Sequence, residues 1–223
     1  MKKIISFALC GLLVFSSCSA LKGTFIGTGA GAALGAGIGA LIGGEKGAAI
    51  GAAAGAAVGA GTGAIIGNVM DRKAAELEAI ENAKVETITD VNGLTAIKVT
   101  FDSGILFATN SSTLSAESKE TLAKFAEGIK DLENTDITVW GHTDNTGTAA
   151  VNEKISKQRA DAVSKQLQAN GIAKARIHAE GKSFTMPVAD NETAEGKAQN
   201  RRVELYITAD EAMIKAAEAG QLK

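Results

Sequence analysis

The sequence predicts an α/β (α+β) sandwich, a mixed β-sheet covered by helices, that is preceded by a glycine-rich helical hairpin. Two observations support this prediction. From Val85 onward, strand-like and helix-like segments alternate over about 120 residues, which is enough for one layered core. Before this region, 16 of the 26 glycines in the 223-residue chain lie between Gly23 and Gly67. The chain therefore divides into unlike pieces.

The first piece has the layout of a secretory signal. Lys2 and Lys3 precede an apolar run from Ile4 to Phe15, and two serines follow before Cys18. The apolar run is about 12 residues long, whereas a membrane-spanning helix needs roughly 20. We therefore predict a signal peptide at residues 1–17.

The residues FSSC, Phe15 to Cys18, resemble a lipobox, although leucine is more usual at the first position. The resemblance implies cleavage before Cys18 and lipidation of Cys18 at the start of a short N-terminus, residues 18–22. An ordinary signal followed by a free cysteine is the alternative. Processing at Cys18 also removes Cys10, so no thiol is left for a disulfide or a metal site. The mature formal charge becomes −4, which argues against a nucleic-acid partner.

Glycine recurs at every fourth position from Gly23 to Gly67. A helical glycine costs about 1 kcal/mol relative to alanine, so the array needs a compensating contact. Glycines four residues apart share one ridge of a helix, where a second backbone can approach closely. The segment GGEKG, Gly43 to Gly47, indicates a turn. It separates two arms, Phe25–Ile42 and Ala48–Met70, each about 27 to 35 Å long and close to a bilayer core of about 30 Å.

This pattern predicts a helical hairpin over residues 23–70. Its larger apolar residues are expected to face lipid: Phe25, Ile26, Leu34, Ile38, Leu41, Ile42, Ile50, Val58, Ile65 and Ile66. The segment resembles the glycine-zipper motif of bacterial envelope lipoproteins, which implies membrane association or self-association into a homo-oligomer. A flexible glycine-rich linker is the alternative, although no serine lies between Ala20 and Asp102. The charged helix former that follows predicts a solvated helical linker at residues 71–84.

A domain is predicted over residues 85–208, followed by a helical tail at residues 209–223. An Asn92-Gly93 turn indicates a hairpin, and Ser115 is a candidate helix cap. The remaining elements are a strand at Ile97, Val99 and Phe101, a helix with the stripe Leu122, Phe125, Ala126 and Ile129, a strand at Ile137 and Val139, a helix at residues 149–169, a strand at Ile177 and Ala179, and a strand at Val203, Leu205 and Ile207.

The helix at residues 149–169 places three polar residues, Asn152, Ser156 and Arg159, among its apolar ones on a helical wheel. An unpaired arginine out of water costs several kcal/mol, so Arg159 needs a partner or a ligand. One interpretation is an internal salt bridge. The other is a pocket that faces the loop GHTDNTG, Gly141 to Gly147, at the end of a strand. The residues alone favour neither.

The segments TVWGHTDNTGTAAVNEKISKQRADAVSKQLQANGIAKARIHAEG and PVADNETAEGKAQNRRVELYI resemble the OmpA-like peptidoglycan-binding domain shared by OmpA, Pal and MotB. The layout of lipobox, glycine zipper and this domain resembles that of YiaD-like outer-membrane lipoproteins. The resemblance implies a noncatalytic protein with no cofactor, held by lipid in the outer membrane, with its C-terminal domain in the periplasm. Its function would be to tether that membrane to the cell wall by binding peptidoglycan noncovalently.

Carried over by motif position, the resemblance implies that Asp144 and Arg159 bind the diaminopimelate of the stem peptide. This side chain ends in an ammonium and a carboxylate on one carbon, which suit an acid and a planar two-pronged base. The further contacts implied are Asn110, Thr143, Asn152 and Arg201, with Arg201 either completing the rim or packing structurally. Ala108, Ser183 and Lys197 depart from the family pattern, which bears on the loop and the pocket rim.

Three other interpretations compete with this one. His142, Asp144 and Ser156 resemble a hydrolytic triad in composition, but the serine lies in mid-helix. A metal site at His142 and His178 lacks further ligands at useful spacing. In the third, the glycine array forms an oligomer or channel in the membrane and the C-terminal domain only docks it to the wall.

Overall fold

The computed structural model of the protein describes residues 60–90, 92–108 and 111–222. Its centre is a five-stranded mixed β-sheet with the strand order β1-β2-β5-β3-β4. The strands are β1 (Ala83–Thr89), β2 (Thr95–Asp102), β3 (Thr135–His142), β4 (Ile177–Ser183) and β5 (Arg202–Ala209). Neighbouring strands are antiparallel except for β3 and β4, which are parallel. The predicted fold class of a mixed sheet with helices is confirmed.

The helices of the described residues are α1 (Ala60–Leu77), α2 (Ser103–Leu106), α3 (Ala116–Gly128), α4 (Ala149–Ala169), α5 (Ala194–Asn200) and α6 (Glu211–Glu218), with a 3-10 turn at Lys174–Arg176. Ser115 caps α3 as predicted, because its side chain accepts a hydrogen bond from the Ser118 amide. The limits of α4 coincide with the predicted helix at residues 149–169.

The two faces of the sheet differ in character. One face carries apolar side chains such as Val99, Val139 and Leu205, which are fully buried in the core formed with α1, α3, α4 and α6. Adjacent strand residues point to opposite faces. Lys98, Trp140 and Glu204 are therefore on the other face.

Glycines bring α4 close to the ends of β3 and β4. A Cβ atom at Gly141 would lie 2.2 Å from the carbonyl oxygen of Ser156, and one at Gly181 would lie 2.5 Å from the amide nitrogen of Lys157. Any larger residue at either position would push the helix away from the sheet. This close approach places the loop after β3 beside the buried side of α4.

Helix α1 runs through the predicted boundary between hairpin and linker at residue 70. Ile66, Met70, Ala74 and Leu77 are at most 4% exposed and belong to the core of the domain. The expectation of a solvated linker is therefore wrong, because Ile80 is also part of this core and Ala83 and Lys84 begin β1. The spacing of four, four and three residues forms an apolar stripe that packs on the sheet.

The expectation that Ile66 faces lipid is also wrong, because its side chain is fully buried in the same core. Gly67 allows this packing, since a Cβ atom there would lie 3.2 Å from Oγ1 of Thr95 on β2. Residues 1–59, with Cys18 and most of the predicted hairpin, lie outside the described residues. No helix in the described part of the chain is both long and apolar enough to span a bilayer.

Candidate functional site

The candidate site is built around the loop that joins β3 to α4. His142 ends β3, and Thr148 caps α4 by accepting a hydrogen bond from the Val151 amide. The loop begins at Thr143, whose amide donates to the carbonyl of Ser183 at 2.9 Å. Ser183 has a φ of 51°, in the left-handed region that favours glycine, and it stands where the family pattern often has a glycine.

Asp144 is the acid of this loop. Its Oδ2 accepts from Nη1 of Arg201 at 2.7 Å, and its Oδ1 accepts from the amide of Thr146 at 2.8 Å. Burial acts to raise the pKa of the Asp144 carboxyl, but Arg201 and Thr146 outweigh burial and hold this pKa below its usual value. The carboxylate is therefore ionised at neutral pH, with its side chain 11% exposed.

Arg159 lies on the buried side of α4, as the helical wheel predicts, and is 6% exposed. Its Nε donates to the carbonyl of Ser111 at 3.1 Å, and its guanidinium lies 5.3 Å from the centre of the Phe107 ring. Burial and the charge of Arg201 lower the pKa of Arg159, while Asp144 opposes them. Among the described residues, no carboxylate forms an ion pair with Arg159. An internal salt bridge is thus not what the described residues show.

Two further predicted residues line the same loop. Asn152 is 4% exposed and donates from Nδ2 to the carbonyl of Thr146 at 3.0 Å, which fixes the loop against α4. Thr143 is 5% exposed, and its Oγ1 is buried without a hydrogen-bond partner. A buried hydroxyl in this state is available to a ligand or to water.

Arg201 follows α5 and contacts the loop after β3 through Asp144. Its side chain is 42% exposed and forms the ion pair with Asp144. Residues 186–191 form what we call the wall of the site. Asn200 holds this wall, because its Oδ1 accepts from the amides of Val188 and Ala189 at 2.8 and 3.0 Å. Asn191 accepts from Nδ2 of Asn200 at 2.9 Å and from the Asn145 amide at 3.3 Å. The wall thus contacts the loop after β3.

The structure places Thr143, Asp144, Asn152 and Arg201 around one loop, and Arg159 is close enough for the charges of Asp144 and Arg201 to act on it. Asn110 lies outside the described residues, as does the lipidation residue Cys18. The triad is not assembled, because Ser156 Oγ donates to the Glu153 carbonyl and accepts from the Ser183 amide. Ser156 therefore anchors the end of β4. No cluster of three or more metal-ligating residues occurs in the described ranges.

Glu204 was absent from the predicted site residues although it neighbours the site. It is 2% exposed on β5, between Arg202 and Tyr206, which are also buried. The alternation Arg202, Glu204, Tyr206 is typical of the solvated face of a strand, so sequence pattern alone does not reveal this buried cluster.

Comparisons with known proteins identify relatives of both parts of the chain. A model described as "OmpA family" matches residues 106–201, and one described as "YMGG-like Gly-zipper" matches residues 1–71. The chain is 42% identical over 110 residues to "Probable lipoprotein YiaD" of Escherichia coli, covering 49% of this chain and 48% of that protein. It is 36% identical over 112 residues to "Peptidoglycan-binding protein ArfA" of Mycobacterium bovis, covering 50% of this chain and 34% of that protein.

The chain thus spans about half the length, or less, of these curated relatives. A solved structure, that of "the cell wall anchor of the T6SS from Pseudomonas aeruginosa", is 32% identical with a TM-score of 0.54. That match covers 63% of this chain and 97% of the other.

Proposed function

We propose, from the premise that this chain carries an OmpA family domain preceded by a YMGG-like Gly-zipper segment, that it tethers the outer membrane to the cell wall. The domain binds peptidoglycan noncovalently and performs no catalysis. Asp144 and Arg159 bind the zwitterionic end of diaminopimelate in the stem peptide.

The observation that carries this proposal is the state of Arg159. Its guanidinium is buried, and no carboxylate among the described residues pairs with it. Ser111 accepts from Nε of Arg159, and Phe107 covers one face of the guanidinium. No described residue forms a hydrogen bond with either Nη group, so both are available to a ligand. A buried cation without a counter-ion is costly, so binding a carboxylate there stabilises the complex.

Asp144 supplies the opposite charge. Asp144 accepts hydrogen bonds from Arg201 and from Thr146, whereas an ionised carboxylate has about four acceptor positions. An ammonium group can therefore bind Asp144 without displacing Arg201. A ligand with an ammonium and a carboxylate on one carbon carries the two charges that complement this pair of side chains.

The relatives support the choice of ligand and location. One is named a peptidoglycan-binding protein, one a probable lipoprotein, and one solved relative is titled a cell wall anchor. Lipidation at Cys18 anchors the chain in the outer membrane in this proposal, because acyl chains contribute about 0.8 kcal/mol per buried CH₂. The domain is then in the periplasm, and self-association through the glycine zipper stays a prediction.

Sedimentation of the full chain with purified diaminopimelate-type peptidoglycan tests the site. We expect Asp144→Asn and Arg159→Gln each to weaken binding about 10- to 100-fold. This is the loss of affinity that corresponds to the free energy of one hydrogen bond to a charged group. Glu153→Gln and Lys165→Gln are matched controls, because both residues are exposed on α4 and the same charges are removed. Retention of Asp144→Asn and Arg159→Gln at the level of these controls would refute the site.

Lysine-type peptidoglycan tests the ligand assignment in the same assay. Its lysine has the ammonium but lacks the neighbouring carboxylate, so the wild-type chain should bind it more weakly. In Arg159→Gln the preference for diaminopimelate-type peptidoglycan should disappear, because the guanidinium that binds the carboxylate is absent. Equal binding of both wall types by the wild-type chain contradicts diaminopimelate as the ligand.

A further inference from the structure

The side chain of Glu204 is the centre of a buried polar cluster on the sheet face opposite the helices. Its Oε1 lies 2.8 Å from Nε of Arg202 and 2.8 Å from Nζ of Lys98. Its Oε2 accepts from the Tyr206 hydroxyl at 2.6 Å. Nε2 of His142 lies 3.2 Å from Oε2. Burial acts to raise the pKa of Glu204, but these neighbours hold it far below its usual value.

Two members of this cluster are chain neighbours of the site. His142 precedes Thr143 and Asp144, and Arg202 follows Arg201. Glu204 therefore contacts both β3 and β5 where each strand meets the site.

Arg202 extends the cluster to the wall of the site. Besides Glu204, its guanidinium donates to the carbonyl of Asn200 at 3.3 Å and to that of Met186 at 3.0 Å. Arg201 stands between Asn200 and Arg202, and both of these neighbours are held by side-chain hydrogen bonds. The backbone of Arg201 consequently has little freedom to move away from Asp144.

A buried ion pair contributes little net stability compared with apolar residues of the same volume. A fixed geometry is the better-supported benefit of such a pair when a functional group depends on it. We propose that Glu204 and Arg202 are positioning residues, which hold Arg201 in its ion pair with Asp144 and thereby shape the ligand site. This inference rests on the proposed function for the identity of the ligand, but not for the geometry.

Titration of Asp144 in the full chain, followed by ¹³C NMR of its side-chain carboxyl, measures the Asp144–Arg201 pair without any ligand. In the wild type we expect the pKa of Asp144 below 3.8. In Glu204→Gln the pKa should rise toward 3.8, because Arg201 is released. Removal of the Glu204 charge alone would lower the pKa of Asp144, so the sign of the change separates positioning from long-range electrostatics.

Arg202→Lys is the second variant, and it keeps the positive charge while losing the planar fork that reaches Asn200 and Met186. It should also raise the pKa of Asp144, and it keeps the test decisive if Glu204→Gln does not fold. Tyr206→Phe is the control, because it removes a hydrogen bond from Glu204 without a change of charge and without a link to Arg201. An unchanged or lowered pKa of Asp144 in Arg202→Lys overturns the proposal.

Peptidoglycan sedimentation of the same variants completes the experiment. We expect about tenfold weaker binding for Arg202→Lys and wild-type binding for Tyr206→Phe, since misplacement of binding groups by a fraction of an ångström is costly. Wild-type binding by Arg202→Lys would count against the positioning role. If the wild-type chain itself fails to bind, the proposed function fails, and the titration still decides the role of Glu204 and Arg202.

Discussion

At the scale of single residues, Asp144 and Arg159 are in different electrostatic states. Asp144 has a counter-ion in Arg201, whereas Arg159 contacts a carbonyl and an aromatic ring but forms no ion pair among the described residues. The described part of the site therefore has two guanidinium groups and one carboxylate. Such a balance favours a ligand that brings at least one carboxylate, which agrees with a zwitterionic side chain.

His142 predicts a pH dependence of stability. Burial, together with the charges of Arg202 and Lys98, lowers the pKa of this imidazole below 6.5, against the opposing effect of Glu204. Below pH 6.5 the unfolded chain therefore binds a proton that the folded chain does not, and the free energy of unfolding falls as the pH falls. The slope from one such group is at most about 1.4 kcal/mol per pH unit.

Urea unfolding of residues 60–222 at pH 7.5 and 5.5 measures this effect. His142→Gln should be less stable at pH 7.5 and should lose less stability on acidification than the wild type. His178→Gln is the control, because the side chain of His178 is 60% exposed. The same loss of stability in wild type and His142→Gln would show that His142 is not responsible.

The sequence predicts which side of a helix is buried, but not which residues far apart in the chain form a pair. The helical period placed Asn152, Ser156 and Arg159 on the buried side of α4, and the structure confirms their burial. The pair Asp144–Arg201 joins residues 57 positions apart, so no local pattern contains it. Val151 of the same helix is 60% exposed although it is apolar.

At the scale of elements, α1 is the largest difference between expectation and structure. The strands have a two-residue apolar period and α4 has a helical one, so the sequence predicts these elements. Helix α1 combines the end of the glycine array with the start of the charged segment. The sequence pattern therefore predicts two separate elements where the structure has one helix. The stripe Ile66, Met70, Ala74, Leu77 appears only when both halves are joined.

Met70 tests the packing of α1. Its side chain is fully buried, so Met70→Ala should reduce the free energy of unfolding by about 2 to 5 kcal/mol. Asn68→Ala is the control on the exposed side of the same helix, with an expected change within about 0.5 kcal/mol. Urea unfolding of residues 60–222 provides both values. A Met70→Ala change as small as the control would mean that α1 is not part of the cooperative unit.

At the scale of the whole molecule, the described domain is larger than the predicted one at residues 85–208. Helices α1 and α6 lie outside those limits, yet Met70, Leu77, Met213 and Ala217 are part of the core. The family model match, residues 106–201, also excludes both helices. The sequence therefore predicts the central part of the domain, and the flanking helices α1 and α6 complete its core.

A comparison of two fragments tests this extent. Residues 85–208 should unfold at a lower urea concentration than residues 60–222, with a smaller m-value, because less apolar surface is buried. The short fragment should also bind the dye ANS, since the surface under α1 and α6 is uncovered. Equal midpoints for the two fragments would contradict a core that includes these helices.

The packing of α1 has a mechanical consequence for the proposed tether. In the proposed tether, tension between a lipid anchor and the cell wall would enter the folded domain at the N-terminal end of α1, the first element that it would pull from the sheet. Its 18 residues are about 27 Å long when helical and about 60 Å when extended. In the proposed tether, extension of this one segment would lengthen the connection and so limit the rise of the tension that acts on the proposed binding residues.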